Sequence, residues 1–223
     1  MSPCRAPSRD THRICVQGAD LHFPCPCFHA TACGVLRSLR LMNFRCFDSL
    51  AIEVPESGGV FVGDNAQGKT SILEALCVLV RLHSPRTHRM VTLARSGSDG
   101  FGVAGDPWQQ NRQVRHSRGG LRLKVDDEVR GGPGAYLDDG GLVVWMGNED
   151  LDLIRGSGEG RRHYLDFLGT QLDPDYRRAW SRYRRALRAK NLLLKDARPR
   201  DAEIFSYEEI LVANGTLLME TRS

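Results

Sequence analysis

Eight consecutive residues, Gly63-Asp64-Asn65-Ala66-Gln67-Gly68-Lys69-Thr70, carry the groups needed to hold a polyphosphate, matching G-x-x-x-x-G-K-[ST] at every position. Gly63 and Gly68 let the backbone wrap an anion without Cβ clashes. Lys69 supplies a point charge to the β- and γ-phosphates, and Thr70 offers a hydroxyl to Mg²⁺. The pattern alone recurs by chance. The chemistry needs a buried strand before the loop and a helix after it, so that backbone N–H groups and the helix N-terminus face the phosphates. The flanks supply both: Val60 to Val62 reads as a short buried strand, and Ile72, Leu73, Leu76, Leu79 and Val80 recur on one helix face. Nucleotide with Mg²⁺ is the expected ligand.

Other elements must carry this loop. Leu39 and Leu41, then Leu50, Ile52 and Val54, alternate with polar residues, which predicts two half-buried strands joined by a turn at Arg45 to Ser49. Residues 97–141 are rich in Gly, with Leu121, Leu123 and Val125 the clear alternating strand, so a β-rich insertion is expected there. Leu142 to Met146 reads as a further buried strand, and Asn148 as the N-cap of a turn holding Leu151 and Ile154. After Pro174 a long helix is expected, with Tyr176, Trp180, Tyr183, Leu187 and Leu194 as its apolar stripe.

Bulk composition is that of a globular chain of 223 residues, 41% hydrophobic and 26% charged, long enough for one large or two small domains. No apolar run approaches the roughly 20 residues of a membrane span. Charge is uneven. Twelve Lys or Arg stand against four Asp between Arg161 and Arg200, while the whole chain is only +4. A cationic stretch of this kind suits a phosphate backbone, although a solvated helix face also produces one. Arg161, Arg162, Arg177, Arg178, Arg184 and Arg185 are the candidate nucleic-acid contacts. Trp180 and Tyr183 could stack on bases, but their place on the apolar stripe assigns them to the core first.

Five of the seven cysteines fall in the first 33 residues. Cys25, Cys27, His29 and Cys33 are soft ligands, yet Cys25-Pro26-Cys27 is too close for the usual zinc knuckle. Residues 1–34 are therefore read as a disordered or misassigned leader. The two remaining cysteines fit a reducing, cytoplasmic setting without disulfides.

The blocks LRSLRLMNFRCFDSLAIEV, GDNAQGKTSILEAL, SPRT at Ser84 to Thr87, NEDLDLIRGSGEGRRHYLD and DPDYRRAWSRYRRALRAKNLLLK, taken in order, resemble the RecF family of DNA replication and repair proteins. The resemblance covers Val35 to Lys195. It implies an α/β P-loop NTPase of the ABC/SMC-head type, with a β-rich insertion and a long-helix second lobe, incomplete at the C-terminus. Residues 35–147 would form the N-terminal ATPase lobe and 148–223 the start of the helical lobe. Asn43 and Arg45 match the family's Asn-Phe-Arg element beside the nucleotide.

By the same resemblance the cofactors are ATP and Mg²⁺, and the DNA is single-stranded or gapped duplex. The partners are RecR and RecO, in recombinational repair through RecA loading and the SOS response, with an ATP-dependent homodimer in the family. The family is a weak ATPase that needs a signature loop and an apolar strand ending in acids. GSGEG at Gly156 to Gly160 and LVVWMGNED at Leu142 to Asp150 only imitate these, so a chain without competent hydrolysis is expected. The rival readings are a catalytically incompetent remnant or another SMC-like head of the RecN or Rad50 type. The second would run into long heptads, which are missing here. A GTPase would need an N-K-x-D element, also missing.

Overall fold

A computed structural model of the chain describes residues 15–18, 36–55, 58–138, 140–147, 152–195 and 200–222. They fall into two compact units, within 1–145 and 146–223. Most of the leader, its cysteine-rich part included, lies outside the described residues, as does the N-cap expected at Asn148. Cys15–Gly18 do form a strand, β1, which departs from the structureless leader expected there.

The first unit is built on a six-stranded antiparallel sheet. Its strands are β2 (Ser38–Phe44), β3 (Phe47–Glu53), β5 (Phe101–Gly105), β6 (Arg112–Ser117), β7 (Gly120–Val125) and β8 (Glu128–Val129), in the order β3-β2-β5-β6-β7-β8. The Gly-rich middle of the chain is thus β-rich as expected, and the pairing of β2 with β5 makes it continuous with the first hairpin. β7 and β8 are joined by Asp126 and Asp127, both at positive φ, the backbone twist that a two-residue hairpin turn requires. Between β2 and β3 the turn is only Arg45-Cys46, tighter than the expected 45–49 span, because Asn43 (φ 50°) and Arg45 (φ 53°) adopt left-handed conformations.

Alternation sends Leu39, Leu41, Val103, Val114, Leu123 and Val125 to one face, where they pack with Ile72, Ala75, Val78 and Leu79 of helix α1 (Lys69–Arg81). Gly105 permits this close approach, since a Cβ there would stand 2.9 Å from the Leu79 side chain. Leu73, expected on the buried face of α1, is exposed; Ala75 and Val78 take that role. Helix α2 (Pro133–Asp138) docks Tyr136, whose hydroxyl donates to the Leu79 carbonyl while Arg112 lies 4.1 Å from the ring centroid. Burial raises the Tyr136 pKa, against the opposing pull of Arg112.

Two strand expectations fail. β4 (Gly59–Val62) forms, but Val60 and Val62 are each about half exposed, because β4 pairs only with β1 among the described residues and only Phe61 turns to the core. Leu142 to Met146 is irregular and open, with Val144 and Met146 largely exposed. An apolar run becomes a strand only where a partner edge takes up its backbone groups.

The second unit is helical: α3 (Asp152–Arg155), α4 (Gly158–Leu172), α5 (Pro174–Leu193) and α6 (Asp201–Arg222). Asp173 caps α5 by accepting from the Asp175 N–H at 2.7 Å, and Pro174 sits in the first turn, where its missing N–H costs nothing. Tyr176, Ala179 and Leu218 form a small core, with Trp180 and Tyr183 stacked beside it at 6.4 Å. Leu187 and Leu194, expected on the same stripe, remain exposed.

Candidate nucleotide site

The loop from Gly63 to Gly68 leaves β4 and opens α1 at Lys69. Gly68 is the N-cap, at φ 96° and ψ 10°, and no side chain caps the helix. The first-turn N–H groups are therefore not spent on a capping side chain, and the dipole of a 13-residue helix points its positive end into the loop. Glycine is required at 68 twice over. Its φ is left-handed, and a Cβ would meet Phe47 Cζ at 2.5 Å and Cys46 Sγ at 2.7 Å. Ala66 also takes a positive φ of 64°.

Lys69 Nζ donates to the carbonyls of Gly63 and Asp64, both at 2.7 Å, which folds the ammonium back across the loop. Thr70 is exposed, and its hydroxyl makes no hydrogen bond to any described residue. Asp64, Asn65 and Ala66 line the exposed turn, and the buried Gln67 Oε1 lacks a hydrogen-bond partner among the described residues. Cation, left-handed glycine and uncapped helix start come together in this one loop, the donor set that a triphosphate requires. Thr70 offers an unengaged hydroxyl oxygen that a Mg²⁺ ion would take.

The Asn43–Arg45 turn lies beside that loop through Cys46 and Phe47. Arg45 itself reaches α1: its guanidinium donates to both carboxylate oxygens of the fully buried Glu74 and to the Thr92 carbonyl. Ser84 Oγ donates to Glu74 as well, and Arg86 approaches to 3.6 Å. Asn43 accepts from the Arg95 N–H through its carbonyl.

The candidate nucleic-acid arginines divide between two helices. Arg161 and Arg162 are exposed in the first turns of α4, with Arg161 donating to the Gly156 carbonyl at 3.1 Å. On α5, at 100° per residue, Arg177, Arg178, Arg184 and Arg185 share with Arg182 and Arg188 the arc opposite Tyr176, Ala179 and Ala186. Arg177 is half-buried and the other five are exposed. Arg178 is paired with Asp175, and Arg184 lies over the Trp180 ring at 5.6 Å.

The AAA ATPase domain family matches residues 35–115. The chain is 36% identical over 194 residues to the DNA replication and repair protein RecF of Anaeromyxobacter sp., covering 84% of this chain and 51% of that protein. RecF of Thermomicrobium roseum is 34% identical over 211 residues, with shares of 84% and 52%. The chain is a partial RecF-family protein. It spans about half the length of the curated relatives it matches. A solved structure described as the recombination mediator protein RecF-ATPrS in the RecFOR pathway superposes with a TM-score of 0.71 at 26% identity, covering 84% of this chain and 53% of that one. Over that share of the chain the fold is accordingly the one the RecF structure shows, a mixed α/β arrangement with an antiparallel sheet and a P-loop between β4 and α1.

Glu74, Ser84 and Arg86 were not singled out as site residues from the sequence. The signal was present in Glu74, a lone acid inside the apolar run ILEALCVLV, whose burial demands a cation. Among the described residues no three His, Cys, Asp or Glu cluster as a metal site, and no helix is long and apolar enough to cross a membrane.

Proposed function

We propose that this chain works in DNA repair as a RecF-type ATP-binding module. The observation that carries the reading is the Gly63–Thr70 loop itself, where the left-handed Gly68 opens an uncapped helix and the Lys69 ammonium is held by the loop's own carbonyls. Lys69 exchanges its two carbonyl partners for phosphate oxygens, and the first-turn N–H groups of α1 hold the remaining charge. Thr70 would hold Mg²⁺ through its hydroxyl, and the ion would supply charge neutralisation to the phosphates. Asn43 and Arg45 border the nucleotide, Arg45 acting through its grip on Glu74.

The DNA is single-stranded or gapped duplex, contacted through Arg161, Arg162, Arg177, Arg178, Arg184 and Arg185. The chain acts in the cytoplasm with RecR and RecO, in RecA loading and the SOS response, with ATP-dependent pairing of two copies. These assignments are supported by the family match and by the arginine-rich arc of α5.

Titration of a fluorescent ATP analogue with Mg²⁺, on protein checked by circular dichroism, tests the central claim. Saturable binding by the native chain, lost in Lys69→Ala, is expected. Equal binding by a folded Lys69→Ala chain would remove the loop from the function.

A further inference from the structure

The face of the six-stranded sheet turned away from α1 carries four cations that the nucleotide site does not use. Arg40 stands on β2, Arg115 on β6, and Arg122 and Lys124 on β7. Arg40, Arg115 and Arg122 are exposed and Lys124 is half-buried. None of the four is paired with a carboxylate among the described residues. Elsewhere in this unit arginines do find acids: Arg45 and Arg86 take Glu74, Arg95 takes Asp48, Arg118 takes Asp99 and Arg130 takes Glu128.

The strand register sharpens the contrast. Arg115 lies directly opposite Arg122, and one row away Arg40 and Lys124 flank Ala104 and Gln113. Like charges facing across neighbouring strands destabilise a sheet. The surface between them is a shallow depression of about 300 Å³, floored by Ala51, Gly102 and Ala104 and continuing past Gln113 and Arg115 into a smaller one against Arg122 and Lys124. No acid lines either depression. Glu53 lies on the same face of β3, one row from Arg40, but forms no ion pair with it, and Asp106 and Asp126 accept hydrogen bonds from backbone N–H groups at the sheet's end.

We propose that this open sheet face is a docking surface for the phosphate backbone of duplex DNA, separate from the arginines of α5. The inference rests on the reading of the chain as a DNA-repair protein. Charge complementarity identifies the occupant: uncompensated, mutually repelling cations over a floor of small residues suit a polyanion that can approach closely. Strands lie about 4.8 Å apart, so Arg40 to Lys124 spans about 14 Å. A duplex presents about eight phosphates over that length of axis. Among the described residues no aromatic side chain lines either depression, so the stacking platform that single strands use is not there. Contact with the backbone alone carries no sequence information.

The test is fluorescence anisotropy of labelled duplexes of two unrelated sequences, with the full chain, at 50 to 200 mM NaCl. The native protein is compared with Arg115→Gln/Arg122→Gln and with Arg40→Gln/Lys124→Gln, each checked by circular dichroism and by binding of the ATP analogue. Each double variant is expected to bind both duplexes at least about tenfold more weakly, with the slope of log K on log salt shallower by about 2. Native affinity and slope in both folded variants would overturn the proposal while leaving DNA binding to α5. No salt-dependent duplex binding by the native chain would overturn the DNA reading together with this one. Unchanged DNA binding with lost retention of poly-glutamate would assign the face to an acidic polypeptide instead, which also overturns it.

Discussion

Arg45 closes on Glu74 through two hydrogen bonds, Nε to Oε2 at 2.8 Å and Nη2 to Oε1 at 2.6 Å, tying the first hairpin to the helix that begins at the phosphate loop. Glu74 has no exposed side-chain surface, whereas Arg45 keeps about a quarter of its own. The pair is therefore asymmetric. The carboxylate has left water completely, and it is held there by Arg45, Ser84 and Arg86 together.

Removing Arg45 strands a buried charge, so Arg45→Ala is expected to cost about 3 kcal/mol in urea unfolding, with Glu74→Gln costing less because an amide can still be satisfied. The double variant Arg45→Ala/Glu74→Gln should fall well short of the sum, since the two residues act as one unit. Additive losses would show that they do not.

Gly68→Ala confronts both a left-handed φ and two side chains closer than 3.0 Å. The backbone at 68 must shift, and with it the first-turn N–H groups of α1. Binding of the ATP analogue is expected to drop at least about tenfold, as a misplacement near 1 Å can cost more than that. Gly97→Ala is the control for a strained φ in open space, at 84° with nothing near its Cβ, and should leave binding unchanged.

The site was legible where its residues are neighbours in the chain. Gly63 to Thr70 carry loop, cation and hydroxyl within eight positions, and local order alone tells strand from helix. The Arg45–Glu74 contact spans 29 residues, and an acid within ILEALCVLV gives no direction in which to look for its partner. Leu142 to Met146 was misread because apolar content marks a capacity for burial, whereas burial itself depends on which edges and faces are near. The same limit applies to Val60 and Val62. Arg115 and Arg122, seven residues apart, look like ordinary polar positions of two strands until the register sets them face to face.

Cys77 has its thiol pushed up from 9.0 to about 12, mainly by burial against the core and secondarily by the Glu74 charge. The folded protein thus keeps a proton that the unfolded chain releases. The stability this supplies is fully present below pH 9 and is lost as pH rises from 9 toward about 12. Urea midpoints should therefore decline between pH 8 and pH 10.5, and the decline should be shallower in Cys77→Ala. A slope identical in both proteins would remove Cys77 from the pH response.

In the second unit, Tyr176 donates to Asp166, and Arg222 at the far end of α6 donates to the same carboxylate and to the Tyr176 hydroxyl. Burial, then the Asp166 hydrogen bond, raises the Tyr176 pKa, so the phenol stays protonated and remains a donor at neutral pH. Asp166 is the shared acceptor, and the consequences of substitution follow from that. Tyr176→Phe deletes one donor but leaves Asp166 paired with Arg222, for a cost of about 1 kcal/mol. Asp166→Ala releases both partners and opens a gap beneath α6, costing about 3 kcal/mol. Far-ultraviolet circular dichroism followed through urea unfolding reads both. Equal losses in the two variants would mean that the tyrosine, and not the aspartate, holds α4, α5 and α6 together.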